Sequence, residues 1–400
     1  MRETLLECAA EFGTPLYVYD GNKILDQYKR LTSAFKGIKF RVHYACKANT
    51  NINILRLLKK AGCELDTVSI QEVQLGIRAG FKPKEIMFTP SGVSIEEINE
   101  AVKIGVNINV DSISMLEQFG NMYGNKVPLC IRINPHIVAG GNSKIQTGHI
   151  DSKFGISIQQ MPHVQRVLNL HDIKVNGLHM HNGSDIQDVE SFLKGFDILL
   201  HTAAAFKDLQ YIDFGSGYKV AYKETDHGTD VEDLGEKVVK KFKAFCKEYG
   251  RELELWTEPG KFLVSDSGYL LAKVNVVKTT VSTVFAGLDT GLNHFIRPMM
   301  YNGYHRIENL SNPNGKKRIY NVVGNICETD TFGTDRKISE ITEGDILVLL
   351  NAGAYGYSMS SNYNSRYRPA EVLLLDGKKM LIRKREEMED LLRNQVEIIE

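Results

Sequence analysis

The chain has 400 residues, of which 42% are hydrophobic and 24% charged, and its 49 basic and 49 acidic residues cancel to zero formal net charge. This balance argues against a nucleic-acid-binding or membrane-surface protein, because both need clustered positive charge. No apolar run approaches the roughly 18 residues of a membrane-spanning helix, and the first residues lack the order of a signal peptide.

Short apolar runs rich in β-forming residues alternate with amphipathic stretches of helical period. The predicted strands are Phe40–Ala45, Glu64–Val68, Glu85–Phe88, Val106–Val110, Leu129–Ile133, Val175–Met180, Tyr211–Phe214 and Glu252–Trp256. Because parallel strands need crossover helices, the eight alternations predict an α/β fold, a (βα)8 TIM barrel over residues 21–262. An open doubly wound sheet is the alternative, although no G-x-G-x-x-G follows the first strand.

The helical stretches carry recognisable start and stop signals. Glycines at 62, 80, 105 and 250 stand where a helix usually ends in left-handed backbone. Ser69 with Glu72, and Ser94 with Glu97, have the spacing of a capping box. These signals predict helices that begin after Ser69 and Ser94.

After residue 262 the pattern becomes β-branched and punctuated by turns, without helices between the strands. Residues 263–385 are therefore predicted to form a mostly antiparallel β domain. The strand-like segment 14–20 is expected to join it, so that residues 1–20 belong to the same domain. Residues 386–400 are predicted to be a short helix or tail.

The six cysteines are scattered along the chain without any C-x-x-C pair. This usage predicts neither a disulfide framework nor a metal site, and it is typical of a reducing, cytoplasmic compartment.

Chemistry-bearing residues follow three of the predicted barrel strands, at the end where barrel enzymes hold their active sites. Lys47 follows the first strand and is expected to be buried, which would lower the pKa of its amine and make it a nucleophile. The glycine turn 215–217 follows the seventh strand and is able to cradle a phosphate. Glu258 follows the eighth. Each feature alone has an ordinary structural explanation, but together they indicate a covalently held phosphorylated cofactor, and pyridoxal phosphate fits.

Six motifs in this chain resemble those of the diaminopimelate decarboxylases, members of the alanine-racemase-like, fold-type III class of pyridoxal-phosphate enzymes. They are HYACKAN (43–49), GLHMHNGS (177–184), DFGSG (213–217), WTEPGK (256–261), GNICETD (324–330) and GAYGYSMSSNYNSR (353–366). The resemblance covers nearly the whole chain in the same order. It implies decarboxylation of meso-2,6-diaminopimelate to L-lysine, the last step of lysine biosynthesis.

The resemblance also implies a role for each matching residue. Lys47 would bind the cofactor covalently, Glu258 would pair with its pyridine nitrogen, and His181 would stack on its ring. The remaining cofactor-binding residues would be Ser184, Gly215, Ser216, Gly217, Gly260 and Tyr355.

For the substrate, the resemblance implies Lys261, Arg297, Tyr301, Glu328 and Tyr355. Arg297 with Glu328 suits a distal group that carries both charge signs, since a guanidinium binds a carboxylate bidentately. Cys327 would be the proton donor, reaching with Glu328 into the partner's site, so a homodimer with shared active sites is expected.

The chain departs from the family pattern at four positions. Lys261 stands where many members have arginine, Ser216 replaces a common glycine, and Asn182 and Asp185 are unusual neighbours of the Gly-Ser pair. None of these removes a catalytic group. Segment 134–157, long for a loop after a barrel strand, is predicted to close over the substrate.

Three alternative functions remain open at this stage. One is a related decarboxylase that acts on ornithine, arginine or carboxynorspermidine. Another is an amino-acid racemase of the same fold, although Glu258 favours a protonated pyridine that a racemase does not need. The third is a cofactor-binding protein without activity, against which Cys327, Glu328 and Tyr355 argue.

Overall fold

The computed structural model describes residues 1–137, 148 and 150–399. The chain forms two compact units, one made of Leu25–Val220 and His227–Leu263 and the other of Met1–Ile24, Ala221–Asp226 and Val264–Glu400. The domain limits 21–262 and 263–385 given above stay a prediction. Much of the predicted closing segment, namely residues 138–147 and 149, lies outside the described residues.

The larger unit is a closed barrel of eight parallel strands, which confirms the fold predicted from the alternation. Its strands are β2 (Lys39–Ala45), β3 (Glu64–Thr67), β4 (Ile86–Phe88), β5 (Asn107–Val110), β6 (Leu129–Asn134), β8 (Val175–Met180), β9 (Tyr211–Asp213) and β10 (Glu254–Thr257). Each pairs with the next in this order, and β10 closes the barrel by pairing with β2. A short strand, β7 (Ile156–Ser157), pairs with β6 outside the ring.

Helices connect these strands and end largely where the sequence predicts. They are α2 (Gly21–Ala34), α3 (Ile52–Lys60), α4 (Ile70–Ala79), α5 (Ile95–Ile104), α6 (Ile113–Tyr123), α7 (Met161–His171), α8 (Val189–Ala203), α9 (Val231–Tyr249) and α10 (Lys261–Val264). Gly80, Gly105 and Gly250 cap their helices in left-handed backbone.

The two predicted capping boxes turn out differently. Ser69 caps α4, since its side chain accepts from the N–H of Glu72. The box itself is only half formed, because the carboxylate of Glu72 accepts from the N–H of Val68 instead of that of Ser69. Ser94 precedes α5 but makes no side-chain cap bond. Glu97 is instead engaged by α4, where it accepts from the N–H of Ile70 at 3.0 Å. The second predicted capping box is therefore wrong, because Glu97 bonds to the start of the neighbouring helix α4 instead of to Ser94.

Aromatic packing fills part of the barrel interior. Trp256 of β10, the single tryptophan of the chain, stacks on Tyr211 of β9 with ring centroids 3.6 Å apart and planes 4° from parallel. Met87 and Cys130 are buried in the same cluster. The barrel is thus a packed core, as small parallel barrels require.

The smaller unit is built on one sheet. Its elements are α1 (Arg2–Phe12), β1 (Leu16–Asp20), β11 (Gly268–Thr279), β12 (Val284–Leu288), α11 (Arg297–Tyr301), β13 (Ile307–Asn309), β14 (Lys317–Val323), β15 (Thr331–Ser339), β16 (Ile346–Leu349), β17 (Ala370–Leu375), β18 (Lys378–Arg383) and α12 (Met388–Leu392). The strands run in the order β15-β14-β12-β11-β1-β17-β18, and β16 pairs with β11 and β13.

Most strand pairs of this sheet are antiparallel, as predicted, but two are parallel. The N-terminal strand β1 lies between β11, which is antiparallel to it, and β17, which is parallel. The other parallel pair is β12 with β14. Leu16, Val18 and Val372 are fully buried here, so strand segments from both ends of the chain build one core.

None of the helices in the described part of the chain is both long and apolar enough to cross a membrane.

Candidate active site

Charged and polar side chains meet at the carboxyl ends of the barrel strands. Lys47 lies in the helical turn Cys46–Ala48 directly after β2, and its Nζ is 3.3 Å from Oδ2 of Asp66 at the end of β3. The Lys47 side chain is 42% exposed, whereas that of Asp66 is 1% exposed. The expected burial of Lys47 is therefore wrong: Asp66 is buried, whereas the lysine side chain is partly exposed.

The turn that carries Lys47 is fastened to the end of the last barrel strand. The N–H of Ala45 donates to the carbonyl of Pro259 at 3.1 Å. A Cβ at Gly260 would lie 3.2 Å from the Cβ of Ala48, tighter than most real contacts. The Glu-Pro-Gly sequence thus packs closely beside the lysine turn.

Glu258, which follows β10, is buried and meets a histidine. Its Oε2 lies 3.1 Å from Nε2 of His179, whose Nδ1 is 2.7 Å from Nδ2 of Asn109. The amide nitrogen donates to Nδ1, so Nε2 carries the ring proton on the side of Glu258. The other carboxylate oxygen, Oε1, is buried without a hydrogen-bond partner among the described residues. It can therefore accept from a donor that a ligand brings.

Three buried carboxyl groups in this cluster divide into one anion and two weak acids. Burial alone would raise the pKa of Glu258, but His179 and Lys47 bring it below the ordinary range. Burial raises the pKa of Asp66 and of Asp213, and the negative charge of Glu258 raises both further. Interacting acids whose surroundings push their pKa values apart take different roles. Glu258 is the member that stays ionised.

His179, Asp213 and Glu258 also present ligand atoms within 4.8 Å of one another. This buried group is close enough to hold a cation, which the sequence did not lead us to expect. These groups already have protein partners, because Glu258 and His179 contact each other and Asp213 accepts from the N–H of Gly215 at 2.8 Å.

His181 lies beside the glycine turn. Its Nδ1 accepts from the N–H of Ser216 at 3.2 Å, which leaves the ring proton on Nε2. Burial, together with the positive charge of Arg132, lowers the pKa of His181 to about 3. The ring is therefore neutral near pH 7, as suits a ring that packs face-on against another.

The glycine turn is held against the preceding strand end. Gly215 and Gly217 have positive φ, and a Cβ would come within 2.5 Å of the Met180 carbonyl at the first and 2.4 Å of the Gly183 carbonyl at the second. Ser216 lies between them without positive φ. A side chain is thus tolerated at Ser216, which explains why this departure from the family pattern does no harm.

Two of the other departures contact each other. The ammonium of Lys261 pairs with a carboxylate oxygen of Asp185, and the two side chains are 8% and 24% exposed. Asp185 directly follows Ser184, and Lys261 directly follows Gly260. The lysine is therefore held by its own counter-ion beside the candidate phosphate turn.

Arg132, at the end of β6, also belongs to this cluster. Arg132 is buried, and its guanidinium lies 4.8 Å from the centroid of the Phe154 ring. Burial lowers the pKa of Arg132, although the negative charge of Glu258 acts to raise it. Asp66, Arg132, His179 and Asp213 were not among the predicted site residues. Their position at strand ends was the available signal, since charged groups seldom lie inside a barrel unless they are paired or used.

In the smaller unit, Arg297 is buried among aromatic residues. Its Nη2 donates to the hydroxyl of Tyr222 at 3.2 Å, and its guanidinium lies 5.8 Å from the Tyr301 ring centroid. Its Nε lies 3.4 Å from Nε2 of His305, whose Nδ1 donates to the Leu350 carbonyl. Burial lowers the pKa of His305 to about 3. A neutral imidazole thus holds the guanidinium on one side.

Cys327 and Glu328 lie in a second, exposed group of the same unit. The hydroxyl of Tyr363 donates to Oε1 of Glu328 at 2.7 Å and lies 3.7 Å from Sγ of Cys327. Tyr355, in the segment that follows β16, has a left-handed φ of 55°. Cys327 and Glu328 therefore belong to one group of contacts, around Tyr363, and Arg297 and Tyr301 to another.

Known proteins resemble this chain along nearly its whole length. The sequence profile described as pyridoxal-dependent decarboxylase, pyridoxal binding domain, matches residues 21–265. The diaminopimelate decarboxylase of Methanothermobacter thermautotrophicus is 40% identical over 98% of this chain and 93% of its own.

Solved structures agree with the sequence comparison. The diaminopimelate decarboxylase of Helicobacter pylori in complex with L-lysine is 34% identical, covers 98% of both chains and superposes with a TM-score of 0.88. The diaminopimelate decarboxylase of Methanocaldococcus jannaschii with L-lysine reaches 0.90 at 33% identity, covering 98% of this chain and 94% of that one.

Proposed function

Because this chain belongs to the diaminopimelate decarboxylases, a family of pyridoxal-dependent decarboxylases, we propose that it converts meso-2,6-diaminopimelate to L-lysine and carbon dioxide. The observation that carries this proposal is that a partly exposed lysine, Lys47, and a buried ionised carboxylate, Glu258, lie at the same end of the barrel. Pyridoxal phosphate, when bound, supplies an aldehyde for the amine and a ring that accepts the electron pair released as carbon dioxide leaves.

The residues present fit this cofactor. Glu258 Oε1 is a buried acceptor without a hydrogen-bond partner in the described part of the chain, which suits a pyridine N–H. An ionised carboxylate there would keep that nitrogen protonated. Lys47 would hold the aldehyde carbon, and the neutral ring of His181 would lie against the cofactor.

The phosphate-binding set would surround the glycine turn. It would consist of Ser184, Gly215, Ser216, Gly217 and Gly260. The tight packing of Gly215 and Gly217 against neighbouring carbonyls fixes the path of this turn, so that its shape exists before the phosphate arrives. Tyr355 would complete the cofactor site.

The substrate proposal rests on charge matching at its distal end. Diaminopimelate ends in a second amino-acid group, with an ammonium and a carboxylate, whereas ornithine and arginine end in a cation alone. Arg297 with Tyr301 would bind the distal carboxylate, and Glu328 the distal ammonium. Lys261 and Tyr355 would also contact the substrate. A substrate that lacks the distal carboxylate would leave these polar side chains without partners, and the site would therefore disfavour it.

Cys327 would return a proton to the carbon that lost carbon dioxide, leaving a thiolate that regains its proton from solvent. Cys327 and Glu328 are both exposed in the single chain, although a proton donor works best away from bulk water. We infer that a second copy covers them and that they complete the active site of the partner subunit in a homodimer. All six cysteines are free, which supports placing this enzyme in the reducing cytoplasm.

The test compares carbon dioxide release from meso-diaminopimelate, L-ornithine and L-arginine, with Lys47→Ala as the blank. We expect release from the first substrate well above the other two and none from the blank. Preference for either monoamine-tailed substrate would overturn the substrate assignment. Epimerisation without carbon dioxide release would instead indicate a racemase, against which the ionised Glu258 argues.

A further inference from the structure

The side chain of Asn364 holds Cys327 at two points. The N–H of Cys327 donates to Oδ1 of Asn364 at 3.1 Å, and Nδ2 of Asn364 donates to Sγ of Cys327 at 3.3 Å. One amide thus fixes both the main chain and the thiol of the same residue. Because Cys327 is exposed in the single chain, packing within that chain does not select one of its staggered rotamers, and these bonds do so instead.

The backbone around this contact is held in an unusual conformation. Asn364 has φ 56° and Ser365 has φ 53°, both in the left-handed region. Asparagine is among the few non-glycine residues that adopt it readily. On the other side, the carboxylate of Asp330 accepts from the N–H groups of Ile326 at 3.0 Å and Leu292 at 2.6 Å. The loop that carries Cys327 is therefore fixed from two sides.

Tyr363 connects the thiol to its acidic neighbour. Its hydroxyl donates to Oε1 of Glu328 at 2.7 Å, and the same oxygen lies 3.7 Å from Sγ of Cys327, where it can accept from the thiol. The bond to Glu328 raises the pKa of the Tyr363 hydroxyl to about 12. Tyr363 is therefore a fixed donor to Glu328 at neutral pH.

We propose that Asn364 and Tyr363 are positioning residues, Asn364 aiming the thiol of Cys327 and Tyr363 orienting the carboxylate of Glu328. This inference rests on the proposed function, in which Cys327 delivers the proton and Glu328 binds the distal ammonium. The two residues divide the work. Asn364 acts on the chemical step, and Tyr363 acts mainly on substrate binding.

The first test measures alkylation of Cys327 by iodoacetamide in the cofactor-loaded enzyme without substrate, with the label located by peptide mass spectrometry. Asn364→Asp keeps an acceptor for the Cys327 N–H but replaces the N–H that favours the thiolate with a negative charge. We expect alkylation to slow about two- to tenfold, the range that one hydrogen bond commands. Asn364→Gly keeps the left-handed backbone, removes both contacts and should also slow alkylation. Unchanged rates in both variants would overturn the role of Asn364.

The second test separates binding from turnover. Tyr363→Phe should raise the KM for meso-diaminopimelate by about two- to tenfold, whereas Asn364→Asp should lower kcat with KM changed less than twofold. Tyr367→Phe, a neighbouring tyrosine that is also exposed, is the matched control and should change neither constant. An unchanged KM in Tyr363→Phe would overturn the role of Tyr363.

The alkylation assay needs no substrate, so it distinguishes failure of this inference from failure of the proposed function. Slower alkylation in an enzyme that releases no carbon dioxide would leave the contact between Asn364 and Cys327 standing and overturn the reaction. Normal carbon dioxide release with unchanged alkylation would leave the proposed reaction standing and overturn the role of Asn364.

Discussion

Lys261 and Asp185, two positions at which the chain departs from the pattern of its family, form an ion pair with each other. A carboxylate one residue after Ser184 would repel a bound phosphate if it stood alone. Paired with Lys261, it contributes little net charge to that region. The two departures therefore compensate each other.

We expect Lys261→Met to weaken pyridoxal phosphate binding to the apoenzyme roughly fivefold or more, which is about 1 kcal/mol, because Asp185 is then left without its counter-ion. Asp185→Asn should leave binding equal or tighter, and the double variant should recover most of the loss. Titrations with pyridoxal, which lacks the phosphate, are the control and should be insensitive. Effects of the two single substitutions that simply add would contradict this coupling.

Glu258→Gln should lower kcat for decarboxylation by roughly 10- to 100-fold, since a charge-assisted hydrogen bond contributes about 1.5–3 kcal/mol. Asp213→Asn is the matched control. The pKa of Asp213 is raised well above its ordinary value, so an amide resembles its protonated form. We expect a kcat within about fivefold of wild type, since a neutral hydrogen bond contributes only about 1 kcal/mol. Steady-state kinetics of both variants measure these effects. An equal loss of kcat in the two variants would show that Glu258 has no special role.

The raised pKa of Asp213 also predicts how the stability of the protein depends on pH. Its raised pKa means that the folded protein holds a proton that the unfolded chain releases above about pH 4, so stability falls as pH rises toward the folded pKa. Asp213→Asn removes this loss. We expect the variant to gain in stability relative to wild type as pH increases from 4 to 8. Urea unfolding across this range measures the gain, and a constant difference would refute it.

The glycine turn allows a test of packing against backbone strain. Gly217 and Gly80 both have positive φ, but a Cβ at Gly217 meets the Gly183 carbonyl at 2.4 Å, whereas one at Gly80 meets nothing within 4 Å. Gly80→Ala should therefore cost about 1–2 kcal/mol from strain alone. Gly217→Ala should cost about 1–3 kcal/mol more and should also weaken pyridoxal phosphate binding. Equal free energies of unfolding would mean that the turn can relax around the added methyl group.

The fold was predictable because each barrel strand is a short buried apolar run that ends in a turn signal. Ser69 capped its helix as its local sequence requires. Ser94 did not, because the bond between Glu97 and Ile70 joins two helices, and local spacing carries no information about such a contact. Helix α1 has no comparable start signal, since its N-cap is Met1 without a side-chain cap.

Within the site, the lysine, the glycine turn and the final glutamate were predictable from their positions at strand ends. The exposure of Lys47 was not, because it depends on the space that several strand ends leave between them. His179 and Asp213 were missed for a related reason. Both lie within one residue of the carboxyl end of a strand, but a buried polar residue there cannot be distinguished from a core residue until its partners are known.

The stack of Trp256 on Tyr211 gives the chain a built-in optical probe. Since this is the single tryptophan and it lies two residues before Glu258, its fluorescence emission comes from the barrel interior near that carboxylate. Quenching of that emission would report ligand arrival in real time, without any attached dye.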